Sequence, residues 1–232
     1  MRVLVLIISD DSHAVYKHLR NIWRLYMNIN PAITCFFVRA NPSLKKEWKV
    51  SDDGKTIYCR CQENFIPGIL EKTVLALGYL NDHDYVVRTN LSNFWIWDRL
   101  IDFLRTAPRQ GFYAGKVGCN PDHINGGGII LSNDVAKMLY NDRNIIKRIP
   151  IIDDVAIWYY LVNIRGITPT SIDKRYDFVM RSSVPPLEEI KDAVNDKNIF
   201  AIRVKNQNRE IVDVAIQQEL LKQVYNISVS SV

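Results

Sequence analysis

No stretch of this chain approaches the roughly 18 apolar residues of a membrane-spanning helix. Cysteine is scarce, with four in 232 residues: Cys35, Cys59, Cys61 and Cys119. Cys59 and Cys61 lie two apart in a strand-like stretch, so they share a face. Neither the spacing of a zinc knuckle nor a redox CxxC motif occurs. Reduced thiols are expected, which suits a cytoplasmic location. The apolar run at the start covers only Val3 to Ile8 and meets Asp10 and Asp11 at once, too short for a secretory signal. The sequons at Asn90-Leu91-Ser92 and Asn226-Ile227-Ser228 are then chance matches. Long runs of one charge are also missing. The net charge is +5, but 30 basic residues are interleaved with 25 acids. The densest basic clusters, 45–49 and 143–148, are short and interrupted, and there is no helix-turn-helix signature, zinc site or RNP-like aromatic pattern. A nucleic-acid partner is therefore not expected. Internal repeats and low-complexity tracts are absent as well.

What is present is ordinary globular material, 47% hydrophobic and 24% charged, enough for a packed core. Residues 2–8 read as a buried strand, followed by a capping signal at Asp10-Asp11-Ser12 and an amphipathic helix over 13–27. Strands follow at 33–38 and 56–61, separated by a loop over 41–55. A helix is expected over 68–80, a strand at 85–87, a helix over 93–106 and a strand over 111–117. After Asn125-Gly126-Gly127-Gly128 and the apolar run 129–131, Ser132 caps a helix to about Asp142. Asp153-Asp154 opens a helix over 154–164 that ends at Gly166. The tail reads as helix 187–195, strand 199–204 and helix 209–225. This alternation predicts an α/β fold with a mixed, mainly parallel sheet flanked by helices, in one domain over 1–232. Ligands of such sheets sit beyond the carboxyl ends of the strands. That rule points to Ser9-Asp10, Arg39, Asn90-Leu91-Ser92 and the Gly126 region.

Three motifs within about 66–170 carry a resemblance. The first is Lys72-Thr73 in a leucine-rich helix, then strand Asp84-Tyr85-Val86-Val87 and Arg88-Thr89-Asn90-Leu91-Ser92. The second runs from Gly126-Gly127-Gly128 through Ile129-Ile130-Leu131 to Ser132-Asn133-Asp134. The third is Asp153-Asp154-Val155, with Gly166-Ile167 after it. In this order and spacing the chain resembles the β1,3-galactosyltransferase, N-acetylglucosaminyltransferase and Fringe group of GT-A glycosyltransferases. Short soluble viral and bacterial glycosyltransferases look similar in size. The resemblance implies a GT-A fold with a nucleotide-binding half at 1–120 and an acceptor half at 121–232. It implies transfer of a sugar from a nucleotide sugar, with UDP the expected nucleotide, to a hydroxyl of a glycan or glycoprotein, with inversion.

Such a transfer needs a base for the acceptor hydroxyl, in-line placement, and positive charge on the departing diphosphate. Asp153 and Asp154 are the base candidates, and Asp154 matches the family's catalytic acid residue. The alternative is that one of them caps the helix while the other faces the crevice. Asn90 and Ser92 fall where the family binds metal and donor. They replace its acidic motif, and neutral ligands hold Mn²⁺ or Mg²⁺ poorly. The same residues also suit a plain turn. Gly126, Gly127 and Gly128 allow close backbone approach to a sugar, or else supply positive φ in a loop. Asn125 and His123 stand beside them. Lys72 and Arg88 are family-matched basic residues, with surface pairing to Glu71 or Asp84 as the alternative. Lys174 and Arg175 are candidates for the diphosphate, with Arg181, Arg203 and Lys205 behind them. Ser9, Asp10, Asp11 and Arg39 are placed to meet the nucleotide, with simple capping of the first helix as the alternative for the aspartates. The aromatics at 94–97 and 158–160 read as core, with Trp95 a candidate for stacking on the acceptor. Two competitors remain. A nucleotidyltransferase would carry a glycine-rich basic loop after the first strand, which Ile8-Ser9-Asp10-Asp11-Ser12 is not. A catalytically inert GT-A-like scaffold is compatible with the lost acidic motif.

Overall fold

The computed structural model describes residues 1–118, 123–179 and 187–229. Cys119 and Arg181 lie outside them. The strands are β1 (Val3–Ile8), β2 (Ile33–Ala40), β3 (Trp48–Val50), β4 (Thr56–Cys59), β5 (Tyr85–Asn90), β6 (Asn93–Trp95), β7 (Tyr113–Val117), β8 (Ile124–Ser132), β9 (Thr170–Ser171), β10 (Tyr176–Val179) and β11 (Ala201–Val204). The helices are α1 (Ala14–Tyr26), α2 (Gly68–Ala76), α3 (Trp97–Thr106), α4 (Asn133–Asn141), α5 (Arg143–Ile146), α6 (Asp153–Trp158), α7 (Leu187–Asn195) and α8 (Val214–Tyr225). The described residues form two compact units that interleave along the chain. One comprises 1–10, 34–90 and 107–172, the other 11–33, 91–106 and 173–232.

The first unit is built on an eight-stranded sheet in the order β3-β4-β2-β1-β5-β8-β7-β9. It is mixed. β1–β5, β2–β4 and β7–β9 are parallel, while β3–β4, β5–β8 and β7–β8 are antiparallel. β1 is apolar at every position and buried at every position, as expected of a central strand. β1 and β5 run in register from Val3 opposite Tyr85 to Ile8 opposite Asn90, so their carboxyl ends are level. The α/β class read from the sequence holds.

Three local differences have physical causes. The expected loop at 41–55 contains β3, which is short and lies at the sheet edge. The triple glycine is the interior of β8. Positive φ is confined to Gly54, Gly111 and Gly166 among the glycines, so 126–128 is extended backbone between two partner strands. The helix opened by Asp153 continues into a π-helical turn, Tyr159–Ile164, before Gly166 at φ +67° ends it. Cys35, Cys59 and Cys61 are free and buried. Burial pushes the Cys61 thiol up to about 12 and those of Cys35 and Cys59 well up, so none is reactive at neutral pH.

The second unit holds the three-stranded sheet β10-β11-β6 with α1, α3, α7 and α8. On α1, Val15, Leu19, Ile22, Trp23 and Tyr26 form the buried face at helical spacing. No side-chain cap precedes it; the N-cap is His13, and Asp11 pairs with Arg20 at 2.6 Å instead. The sequence expectation of one helix over 93–106 is corrected here. Residues 93–95 are a strand because they pair with β11 across the chain, Trp95 opposite Ala201 and Phe94 opposite Ile202. Trp23, Trp95 and Trp97 are all fully buried. Tyr26 stacks on Trp23, Phe94 and Tyr225 with centroids at 5.0, 4.8 and 5.4 Å. The indole N–H groups are satisfied by main chain: Trp23 donates to the Leu91 carbonyl at 3.1 Å and Trp97 to that of Tyr26 at 3.0 Å.

Trp95 therefore is core, stacked on Trp97 and Phe200 at 6.2 and 6.0 Å, and not an acceptor platform. Trp95→Ala is expected to cost about 3–5 kcal/mol of stability. Urea denaturation checks this; full stability with a raised acceptor KM would return Trp95 to the acceptor.

Candidate active site

Arg88 is the residue on which the site is assembled. It sits on β5, 3% exposed, an environment that tolerates a guanidinium only if it is paired. Its NH2 meets Asp153 Oδ2 at 2.5 Å. Its NH1 donates to the Asn90 amide oxygen at 3.0 Å and, very closely, to the Gly126 carbonyl. Nε has no hydrogen-bond partner among the described residues. One side chain thus binds together the end of β5, the first glycine of β8 and the start of α6. The alternative of surface pairing with Asp84 is overturned. Asp84 instead takes Arg109 at 2.9 Å and the Arg2 N–H at 2.7 Å.

The two aspartates are consecutive on the first turn of α6, so their side chains diverge. Asp153 is buried against Arg88. Burial raises its pKa, and the Asp154 charge adds to this. Arg88 and two backbone amides pull the other way, and the net direction is up. Asp154 is half-buried; its Oδ2 accepts the Gly126 N–H at 2.8 Å and lies 3.7 Å from His123 Nε2. The N-cap residue Ile152 offers no side-chain bond, and the first turn uses the carboxylates instead: Asp154 Oδ1 accepts the Val155 N–H at 3.0 Å. One carboxylate is locked in an ion pair, and the other serves the helix start with one oxygen and takes the Gly126 N–H with the other.

The β8 glycines serve this arrangement by closeness. A Cβ on Gly126 would stand 3.1 Å from Arg88 NH1 and 3.1 Å from Asp154 Oδ2. The Asn125 amide oxygen accepts the Gly127 N–H at 2.8 Å, and the Thr89 hydroxyl donates to the Gly127 carbonyl at 2.9 Å. His123 is buried, with its carbonyl accepting the Gly118 N–H at 2.7 Å. Arg88, Asn90, His123, Asn125, Gly126, Gly127, Asp153 and Asp154 are thus joined by these contacts. Gly128 follows in the same strand, opposite Thr89.

Other candidates are placed differently. Lys72 is fully buried and bonds the Ser9 carbonyl at 3.0 Å and, very closely, Glu63. Glu63 in turn accepts the Ala40 N–H at 3.2 Å, so this pair ties the ends of β1 and β2 to α2. Surface pairing of Lys72 with Glu71 is therefore overturned. Nothing in the sequence marked Glu63, which lies in the loop before α2. Ser9 is buried and Asp10 half-buried at the end of β1; Arg39 stands over the Tyr58 ring at 5.8 Å. Ser92, Lys174 and Arg175 belong to the second unit. There Ser92 accepts the Val204 N–H through its carbonyl at 2.8 Å. Lys174 is exposed, and Arg175 covers the Phe103 ring at 5.2 Å.

Mn²⁺ and Mg²⁺ do not fit the donors at Asn90. The amide oxygen already faces a guanidinium, and among the described residues no group of three or more His, Cys, Asp or Glu could hold a metal.

No family model matches the chain, and no curated protein matches it by sequence. Solved structures do. The chain is similar to a glycosyltransferase involved in the glycosylation of the major capsid of PBCV-1, with a TM-score of 0.54 and 11% identity over 94% of this chain and 99% of that one. It is also similar to an active-site mutant of LgtC, with a TM-score of 0.50 and 9% identity over 98% of this chain and 97% of that one. The fold is the GT-A fold.

The buried pair makes a stability prediction. Arg88→Met leaves Asp153 without its partner and should cost about 3–5 kcal/mol, while Arg88→Met with Asp153→Leu should recover most of that. Denaturant midpoints check both. Equal stability of the single variant would show that Asp153 needs no cation.

Proposed function

We propose that the chain is a glycosyltransferase that moves a sugar from a nucleotide sugar to a hydroxyl of a glycan or glycoprotein, with Asp154 as the base. The observation that carries this reading is the division between the two aspartates on a GT-A fold. Asp153 is taken by Arg88, while Asp154 keeps an oxygen directed by the Gly126 N–H and lies near an imidazole. A carboxylate so oriented accepts the acceptor hydroxyl proton as the oxygen attacks the anomeric carbon. The bond to the nucleoside diphosphate breaks as the new glycosidic bond forms. Gly126 brings the β8 backbone against Asp154 and Arg88, and Asn125 fixes the Gly127 amide. Asn90 and Arg88 form the polar end of β5 toward the donor. Ser9, Asp10 and Arg39, at the ends of β1 and β2, suit the nucleotide, so the nucleotide-binding role stays with 1–120 and the acceptor role with 121–232. Lys72 acts on the nucleotide only by holding the Ser9 carbonyl in place. UDP and inversion belong to this reading through the family resemblance. Exposed Lys174 and half-buried Arg175 are the cations that the same reading offers for the diphosphate.

Asp154→Asn should lower transfer by about 10²–10⁴-fold, the usual contribution of a positioned base, with the melting temperature little changed. Asp153→Asn should act chiefly on stability. The assay is release of nucleoside diphosphate from a panel of nucleotide sugars, with Mn²⁺ and with EDTA. Activity persisting in EDTA fits the Asn90 donor set, and loss in EDTA would restore a metal. No binding or turnover of any nucleotide sugar in either condition would sink the reading in favour of an inert GT-A-like scaffold.

A further inference from the structure

Two basic clusters that are short and interrupted in the sequence, 45–49 and 143–148, meet in the first unit. Glu47 joins them. Arg143 takes both of its oxygens, Nε reaching Oε1 at 3.1 Å and NH2 reaching Oε2 at 3.0 Å, and lies over the Tyr140 ring at 4.3 Å. Arg60, just past β4, adds a third basic element. Its N–H donates to the Glu47 carbonyl at 2.8 Å and its NH1 to the Lys45 carbonyl at 3.0 Å. The Lys147 N–H donates to the Arg143 carbonyl at 3.0 Å and the Arg148 N–H to that of Ile145 at 3.1 Å, so the chain at both residues is held to α5. Lys46 and Glu47 open onto one groove of about 500 Å³ along β3, lined also by Trp48, Lys49 and Val50.

The acids of this region are already engaged. Glu47 belongs to Arg143, Asp142 is taken by Arg165 and Tyr160, and Asp52 pairs with Lys49 at 3.5 Å. Lys45, Lys46, Arg60, Lys147 and Arg148 form no ion pair among the described residues. All but half-buried Lys147 are exposed. Apolar side chains stand beside them. Ile145, between Arg143 and Lys147, is 57% exposed. Beyond Arg60 the chain enters the loop before α2, where Phe65 is 66% exposed and Ile66 is exposed as well, and α2 packs on α5.

Cations and bare apolar side chains on one surface fit a partner that is anionic outside and apolar beneath. A second copy of this chain would bring like charges together. A nucleic-acid backbone would take the cations and leave Ile145, Phe65 and Ile66 in water. A bilayer with anionic headgroups satisfies both.

We propose that this face of the first unit docks on an anionic lipid bilayer, with the cations on the headgroups and Ile145, Phe65 and Ile66 entering the interface. The chain lies on the bilayer, since no helix among the described residues is long and apolar enough to cross it. This contact uses no residue of the Arg88 site and does not depend on the transferase reading.

The test is co-sedimentation of the full chain with vesicles of phosphatidylcholine alone and of equal parts phosphatidylcholine and phosphatidylserine, at low and high salt. Binding should need phosphatidylserine and weaken as salt rises. Lys46→Glu with Arg148→Glu, both at exposed positions and so expected to fold, should weaken binding by about a hundredfold or more. Lys197→Glu with Lys222→Glu, the same change in net charge at exposed positions of the second unit, should leave it within about twofold. Phe65→Ser with Ile145→Ser should weaken binding about tenfold at unchanged net charge. Equal losses in the two charge-reversed variants would mean attraction by net charge alone and overturn the proposal. Full binding by Phe65→Ser with Ile145→Ser overturns it too, as does a duplex oligonucleotide that binds more tightly than the vesicles through Lys46 and Arg148.

Discussion

Arg88 and Asp153 are 65 residues apart in sequence and meet inside the first unit, where neither charge could remain alone. Removing either from water costs several kcal/mol, which mutual attraction and further hydrogen bonds must offset. That requirement organises what surrounds the pair. The guanidinium needs more acceptors than one carboxylate offers, so it draws in the Gly126 carbonyl and the Asn90 amide. Gly126 must come close enough to lend that carbonyl, which a side chain would obstruct. Once Gly126 is there, its N–H falls to Asp154, the next residue on α6. The orientation of the second carboxylate is a consequence of neutralising the first.

The second unit solves a different problem with different means. Its aromatic core buries several rings that carry polar atoms, and main-chain carbonyls of Leu91, Tyr26 and Trp95 take up their donors. The Leu91 carbonyl receives both an indole and an amide N–H and is held within this core.

Much of this was legible in the chain. The all-apolar Val3–Ile8 segment and the helical spacing from Val15 to Tyr26 gave β1 and α1 because burial on one or both faces leaves a period in the sequence. The consecutive aspartates stood out through the family resemblance, with helix capping as the plain alternative. β6 was not legible. Phe94-Trp95-Ile96-Trp97 is apolar throughout, a pattern shared by buried strands and buried helices, and the partner that decides it is β11, more than 100 residues away. The triple glycine was not legible as strand for a related reason: glycine disfavours strands locally, and the pairing of β8 that continues from Gly128 opposite Thr89 lies far away in sequence. The partners of Lys72 and Arg88 were invisible because ion pairs across elements leave no local spacing.

The five tryptophans divide unevenly between the units. Trp23, Trp95 and Trp97 are sealed in the second unit, whereas Trp48 and Trp158 of the first are only partly covered. Emission from the sealed group should lie further to the blue and be less open to iodide than that from the other two, so the two units carry tryptophans in different surroundings.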